Sequence, residues 1–124
     1  MTDTYVVPMD RVASRVLDGE AVVINLESGV YVGLNGTATA IWQQIEAAPR
    51  SVDALAAALA SAYGAAPGEV EADVRFFLEI LATEGLVSAD GDPTPVDGIV
   101  GDGPYLAPMA ERYESLDELM LSGE

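Results

Sequence analysis

Two short runs of β-branched and aliphatic residues, separated by a polar break, constrain the fold of this 124-residue chain most strongly. The first run is residues 20–26 (EAVVINL), and the second is residues 30–34 (VYVGL). Such residues favour extended backbone, and a three-residue break that contains Gly29 is typical of a tight hairpin. Side chains of the second run should alternate, with Val30, Val32 and Leu34 on one face and Tyr31 and Gly33 on the other. The pattern therefore predicts an antiparallel β-hairpin.

Three segments with helical periodicity follow this hairpin. Their predicted spans are residues 36–47, 52–63 and 67–84, opened by Asn35, Ser51 and Pro67. The main apolar face of the third segment consists of Val70, Val74, Phe77 and Leu81, widened by Phe76, Leu78 and Ile80. These extra apolar residues either complete the core or form one wall of a groove. A hairpin beside three helices is the winged-helix arrangement, which binds either DNA or proteins.

Composition excludes several functional classes. The chain has 21 acidic residues, five arginines and no lysine, for a net charge of −16, which disfavours binding to the phosphates of nucleic acids. Histidine and cysteine are both absent, which removes the commonest general base and metal ligands. The sequence has neither a signal peptide nor a long apolar run. We therefore expect a cytoplasmic, non-enzymatic protein with no cofactor, no metal and no membrane partner.

The composition changes after the third helix. Residues 88–104 contain four glycines, three prolines and four aspartates, which is typical of a linker. Residues 105–124 (YLAPMAERYESLDELMLSGE) are again rich in apolar side chains. The predicted organisation is a domain at residues 1–87, a linker at 88–104 and a tail at 105–124.

Residues 12–87 resemble the PqqD family, the leader-recognition domains of pathways that modify ribosomally made peptides. The resemblance is carried by residues 19–45 (GEAVVINLESGVYVGLNGTATAIWQQI) and by VEADVRFFLEILATEGLV at residues 70–87. Its most specific residues are Tyr31, Leu34, Asn35, Thr37, Ala38, Ile41 and Trp42, followed by Asp73, Val74, Phe77, Leu78, Leu81, Gly85, Leu86 and Val87. The resemblance implies an α+β fold, a winged helix-turn-helix with a three-stranded antiparallel sheet followed by three helices. Residues 11–17 (RVASRVL) would supply the first strand.

The resemblance also implies a binding site. In the family a leader peptide adds as an antiparallel strand to the edge formed here by residues 30–34, and its side chains enter a cleft beside the third helix. The implied contacts are Val30, Tyr31, Val32, Gly33, Leu34, Val74, Arg75, Leu78 and Leu81. Arg75 is the only basic residue on that helix, and it either binds an acidic leader residue or is an ordinary surface arginine.

The tail resembles the leaders of lasso peptides. Tyr105 and Pro108 match a Tyr-x-x-Pro element, and Leu116 and Leu119 match the later half of a leader. The match departs from the pattern at Ala110, where leucine is usual, at Glu114, where glycine is usual, and at Met120 or Leu121, where threonine is usual. The alternative is a plain extension. As a leader, the tail would dock on its own domain or be swapped between two chains.

These observations predict a domain that performs no chemistry. It would hold a precursor peptide by its leader and present it to maturation enzymes, such as a leader peptidase and a macrocyclase. Two alternatives stay open, a winged-helix regulator that binds DNA and a protein-interaction module unrelated to peptide maturation.

Overall fold

The computed structural model describes residues 4–96, 98–99, 101 and 104–114. In chain order its elements are β1 (Thr4–Val6), β2 (Val12–Leu17), β3 (Glu20–Asn25), β4 (Tyr31–Leu34), α1 (Gly36–Ala47), β5 (Arg50–Ser51), α2 (Val52–Tyr63), α3 (Pro67–Thr83), β6 (Ser88–Ala89) and β7 (Ala110–Tyr113). The predicted α+β class is confirmed, with strands β2, β3 and β4 followed by three helices. Within the described residues, no helix is both long enough and apolar enough to cross a bilayer.

The main sheet is antiparallel and has the strand order β2-β3-β4-β7. Asn25 shapes the turn between β3 and β4, because its Oδ1 accepts hydrogen bonds from the backbone N–H groups of Glu27 and Ser28. Gly29 completes the turn at a φ of +78°, which glycine adopts without strain. The Asn25 side chain also donates a 2.9 Å hydrogen bond from Nδ2 to the carbonyl of Glu84. This bond ties the hairpin to the end of α3.

The core lies between the inner face of this sheet and the three helices. Alternation along β4 and the residue before it buries Val30, Val32 and Leu34, as predicted. The core-facing residues of α3 are Val70, Val74, Phe77, Leu78 and Leu81. The prediction that Phe76 widens this face is wrong, because its side chain is 66% exposed. Neighbouring residues on a helix point about 100° apart, and Phe77 occupies the direction towards the core.

A second, smaller sheet joins the two ends of the domain in the order β5-β1-β6. The segment after β6 then follows the surface of the domain. Thr94 donates a 2.8 Å backbone hydrogen bond to the carbonyl of Pro49. The guanidinium of Arg50, which is only 3% exposed, donates to the carbonyl of Pro95. Val96 packs against the core. The described part of the connection to the tail is thus anchored to the domain.

Candidate functional site

The edge of β4 is occupied by a strand from the chain's own tail. Strand β7 pairs with β4 in antiparallel register, with Tyr31 opposite Tyr113 and Leu34 opposite Ala110. The ladder continues beyond β4, where the N–H of Asn35 donates to the carbonyl of Met109 at 3.3 Å. β7 also contacts α3. The tail therefore lies along β4 and beside α3.

Asn35 holds the backbone on both sides of Pro108. Its Nδ2 donates to the carbonyl of Ala107 at 2.9 Å, and its Oδ1 accepts from the N–H of Met109 at 3.1 Å. The same Oδ1 accepts from the N–H of Ala38 at 2.9 Å, which caps α1. Pro108 itself is buried. The sequence predicted the cap but not the contact with the tail. The sequence did contain one sign of this contact, since the side-chain amide of asparagine can form more hydrogen bonds than a helix cap uses.

Tyr105 anchors the start of the tail on two helices. Its hydroxyl donates a 2.9 Å hydrogen bond to Oδ2 of Asp73 in α3. Its ring meets the ring of Tyr63, at the end of α2, edge to face with centroids 5.7 Å apart. Burial, and then the hydrogen bond and negative charge of Asp73, raise the pKa of Tyr105 above its ordinary value. The neutral phenol is therefore the form that binds.

The other end of the docked strand is held by charge. Nε of Arg112 lies 3.1 Å from Oε1 of Glu84, which directly follows α3, and Nη1 lies 3.5 Å from Oε2 of Glu114. The hydrogen bond and charge of Glu84 raise the pKa of the Arg112 guanidinium. In this ion pair the tail therefore contributes the arginine and the domain contributes the carboxylate.

Arg75 is arranged differently. Its Nη2 lies 3.4 Å from Oε2 of Glu71, one helical turn earlier on α3. The pairing of Arg75 with an acidic leader residue stays a prediction.

The remaining predicted site residues occupy two environments. Tyr31 and Gly33 are half-buried and lie next to β7, on the face of the sheet that points away from the core. The side chains of Val30, Val32, Leu34, Val74, Leu78 and Leu81 are buried in the core. Tyr105 and Pro108 lie on the domain, whereas Leu116 and Leu119 fall outside the described residues.

Gly33 and Tyr113 form one further contact of the site. A β-carbon at Gly33 would lie 3.6 Å from Cε2 of Tyr113. Tyr113 is only 8% exposed. Sequence reasoning named Gly33 but gave Tyr113 no role.

The site offers backbone and side-chain groups that bind a peptide strand. Its polar contacts are the backbone of β4, the Asn35 amide and the carboxylates of Asp73 and Glu84. In the part of the chain that the structure describes, no group of three or more acidic side chains is placed to hold a metal ion. The arrangement can fix an extended peptide in one register and direction.

Comparison with known proteins places the chain in a family. Residues 20–87, more than half of the chain, match the model of coenzyme PQQ synthesis protein D (PqqD). A solved structure of TbiB1 in complex with the TbiA(beta) leader peptide is similar to this chain, with a TM-score of 0.63 and 31% sequence identity over 70% of this chain and 99% of that chain. No curated protein matches the chain. The chain belongs to the PqqD family.

Proposed function

We propose that this protein is a non-catalytic recognition domain that binds the leader of a precursor peptide by strand addition to β4. The observation that carries the proposal is the docked strand β7, which extends the main sheet at β4. Strand addition draws affinity from backbone hydrogen bonds and specificity from side-chain contacts beside them. The similar TbiB1 structure contains a leader peptide, which supports this assignment.

The tail has the properties of a ligand for this site. Its first anchor is Tyr105, held by Asp73 and Tyr63, and its second is Pro108, buried beside Asn35. Two residues separate the two anchors, as in the Tyr-x-x-Pro element of lasso-peptide leaders. We propose that the tail is leader-like and that it docks on its own domain. The enzymes that would receive the presented peptide are then a leader peptidase and a macrocyclase.

The test uses the full chain with its own tail weakened. In the tail-disabled chain, Tyr105→Ala and Pro108→Ala remove both anchors. A fluorescent synthetic peptide of residues 104–124 should bind this chain in the micromolar range, measured by anisotropy. It should bind the unaltered chain about a hundredfold more weakly, because a tethered tail competes at an effective concentration of about 1 mM.

A peptide that carries the same two substitutions is the matched control and should not bind the tail-disabled chain. The proposal is wrong if the natural peptide fails to bind that chain, or if the substituted peptide binds equally well.

A further inference from the structure

Tyr113 is buried on a face of the sheet where burial is not expected. Its cross-strand partner is Tyr31, and Tyr31 and Gly33 both point away from the core. Side chains on the outer face of an antiparallel sheet usually meet water, and Glu111, the other β7 residue on this face, is exposed. Tyr113 is nevertheless only 8% exposed. Neighbouring atoms on the outer face of the sheet therefore cover the ring of Tyr113.

The glycine at position 33 provides the space. A β-carbon there would lie 3.6 Å from Cε2 of Tyr113 and 4.0 Å from the carbonyl oxygen of Glu111, so the ring rests against the backbone of β4. The φ of Gly33 is not positive, and the strand geometry therefore does not require glycine. Glycine inside a strand weakens it and often marks the close approach of another group. Here the approaching group is an aromatic ring from the added strand.

We infer that the outer side of Gly33, bordered by Tyr31, is a socket for an aromatic side chain of the bound peptide. The socket rests on the proposed function, because it assigns a third contact to the same strand-addition site. It defines the ligand class as an extended peptide with the pattern Tyr-x-x-Pro-x-x-x-x-aromatic, in which the aromatic residue follows the proline by five positions. Tyr113 occupies that position in the tail.

The ligand class is tested with three peptides of residues 104–124 that carry tyrosine, phenylalanine or serine at position 113. The receptor is the tail-disabled chain with Tyr113→Ser added, so that its own tail cannot fill the socket. The affinity of the phenylalanine peptide should lie within about threefold of that of the tyrosine peptide, because burial of the ring supplies most of the contact. Serine should weaken binding by about tenfold, which corresponds to about 1.4 kcal/mol.

The socket itself is tested by coupling the peptide series to a change in the receptor. Gly33→Val should weaken the tyrosine peptide by about tenfold and the serine peptide far less, because the serine peptide has no ring to displace. Ala13→Val, on the same outer face but on β2, is the matched control and should change neither affinity. If thermal unfolding shows that Gly33→Val does not fold, the peptide series alone still decides the matter.

Two results overturn the socket and leave the proposed function intact. One is equal binding of the tyrosine and serine peptides, and the other is an equal loss for both peptides in the Gly33→Val receptor. Failure of every peptide to bind would overturn the proposed function and the socket together.

Discussion

Substitution of Asn35 separates the capping of a helix from the binding of the tail, because one side chain does both. Its Oδ1 accepts from Ala38 at the start of α1, while the same amide contacts the backbone of Ala107 and Met109. Asn35→Ala removes all three hydrogen bonds. Asn35→Asp retains an oxygen that caps the helix and accepts from Met109, but it replaces the donor that faces the carbonyl of Ala107 with a second oxygen.

The magnitudes follow from these bonds. Loss of an N-cap costs about 1 kcal/mol of stability, and each intramolecular hydrogen bond contributes about 1 kcal/mol. Asn35→Ala should therefore lower the free energy of unfolding of the domain by about 1 kcal/mol through the cap. It should weaken docking of the tail by about 2 kcal/mol, or roughly thirtyfold in the docking equilibrium. Asn35→Asp should weaken docking while the capped helix keeps its stability, since aspartate and asparagine cap equally well.

The assay is amide hydrogen exchange of the full chain, followed residue by residue by NMR. In Asn35→Ala, protected amides of Ala110–Tyr113 should exchange about thirtyfold faster, because exchange follows the population of the opened tail. The exchange rates of the backbone amides that join β2 to β3 should rise only as far as the loss of the cap lowers the stability of the domain.

Ser51→Ala is the matched control, because it removes the cap of α2, a 3.1 Å bond from Ala54, and lies in the smaller sheet, where residue 51 pairs with Thr4. The reasoning is refuted if this control accelerates exchange in β7 as strongly as Asn35→Ala does. It is also refuted if Asn35→Asp leaves that exchange unchanged.

Three further predictions concern pH, charge and backbone strain. The affinity of the tail-disabled chain for the natural peptide, measured by anisotropy, should be constant below the ordinary tyrosine pKa of about 10 and should fall as pH rises above it, because binding raises the pKa of Tyr105 and so favours the neutral phenol. A peptide that carries Tyr105→Phe should show no such fall in affinity. Arg112→Gln in the peptide removes the exposed pair with Glu84 and should weaken binding by about fivefold at most, with a smaller loss in 1 M NaCl. Gly85→Ala should lower the free energy of unfolding in urea by at least about 1–2 kcal/mol, since Gly85 has a φ of +75° and an added β-carbon would lie 2.8 Å from Nδ2 of Asn25. Gly36→Ala, where an added β-carbon has nothing within 4 Å, should cost nothing, and equal effects of the two substitutions would contradict this reasoning.

Features encoded by neighbouring residues were predictable from the sequence. The turn containing Gly29 and the alternation of Val32 and Leu34 predicted the β-hairpin, and both were confirmed. Asn35 and Ser51 predicted the starts of two helices, where their side chains accept hydrogen bonds from the first turn. Each of these signals acts within four residues, so a single sequence contains all of it.

Features that depend on distant partners were not predictable in this way. β5 and β6 have only two residues each, too few for any periodicity, and they exist because β1 lies between them. Periodicity gave α3 a wide apolar face but could not show that Phe76 points to solvent.

The same limit applies to the candidate site. The strand pattern indicated a strand-addition site at the edge of β4 on the condition that this strand lies outermost, and the resemblance to a family then implied that the leader docks there. The contacts of Asp73 and Asn35 with the tail join residues 32 and 72 positions apart, beyond the reach of local patterns.

Occupation of β4 by the tail has a consequence for any separate leader peptide. By the proposed function, a separate leader would use the same backbone groups of β4 and the same anchors, Asp73 and Asn35, as the tail, so the two strands would exclude each other. The tether holds the tail at about 1 mM, so a tail whose own Kd for the site is about 10 μM lowers the apparent affinity of any separate leader about a hundredfold. Such a leader can compete only through contacts that the tail does not make. A substitution at Asp73 or Asn35 weakens both strands, whereas one at Tyr105 weakens the tail alone and should favour binding of the separate peptide.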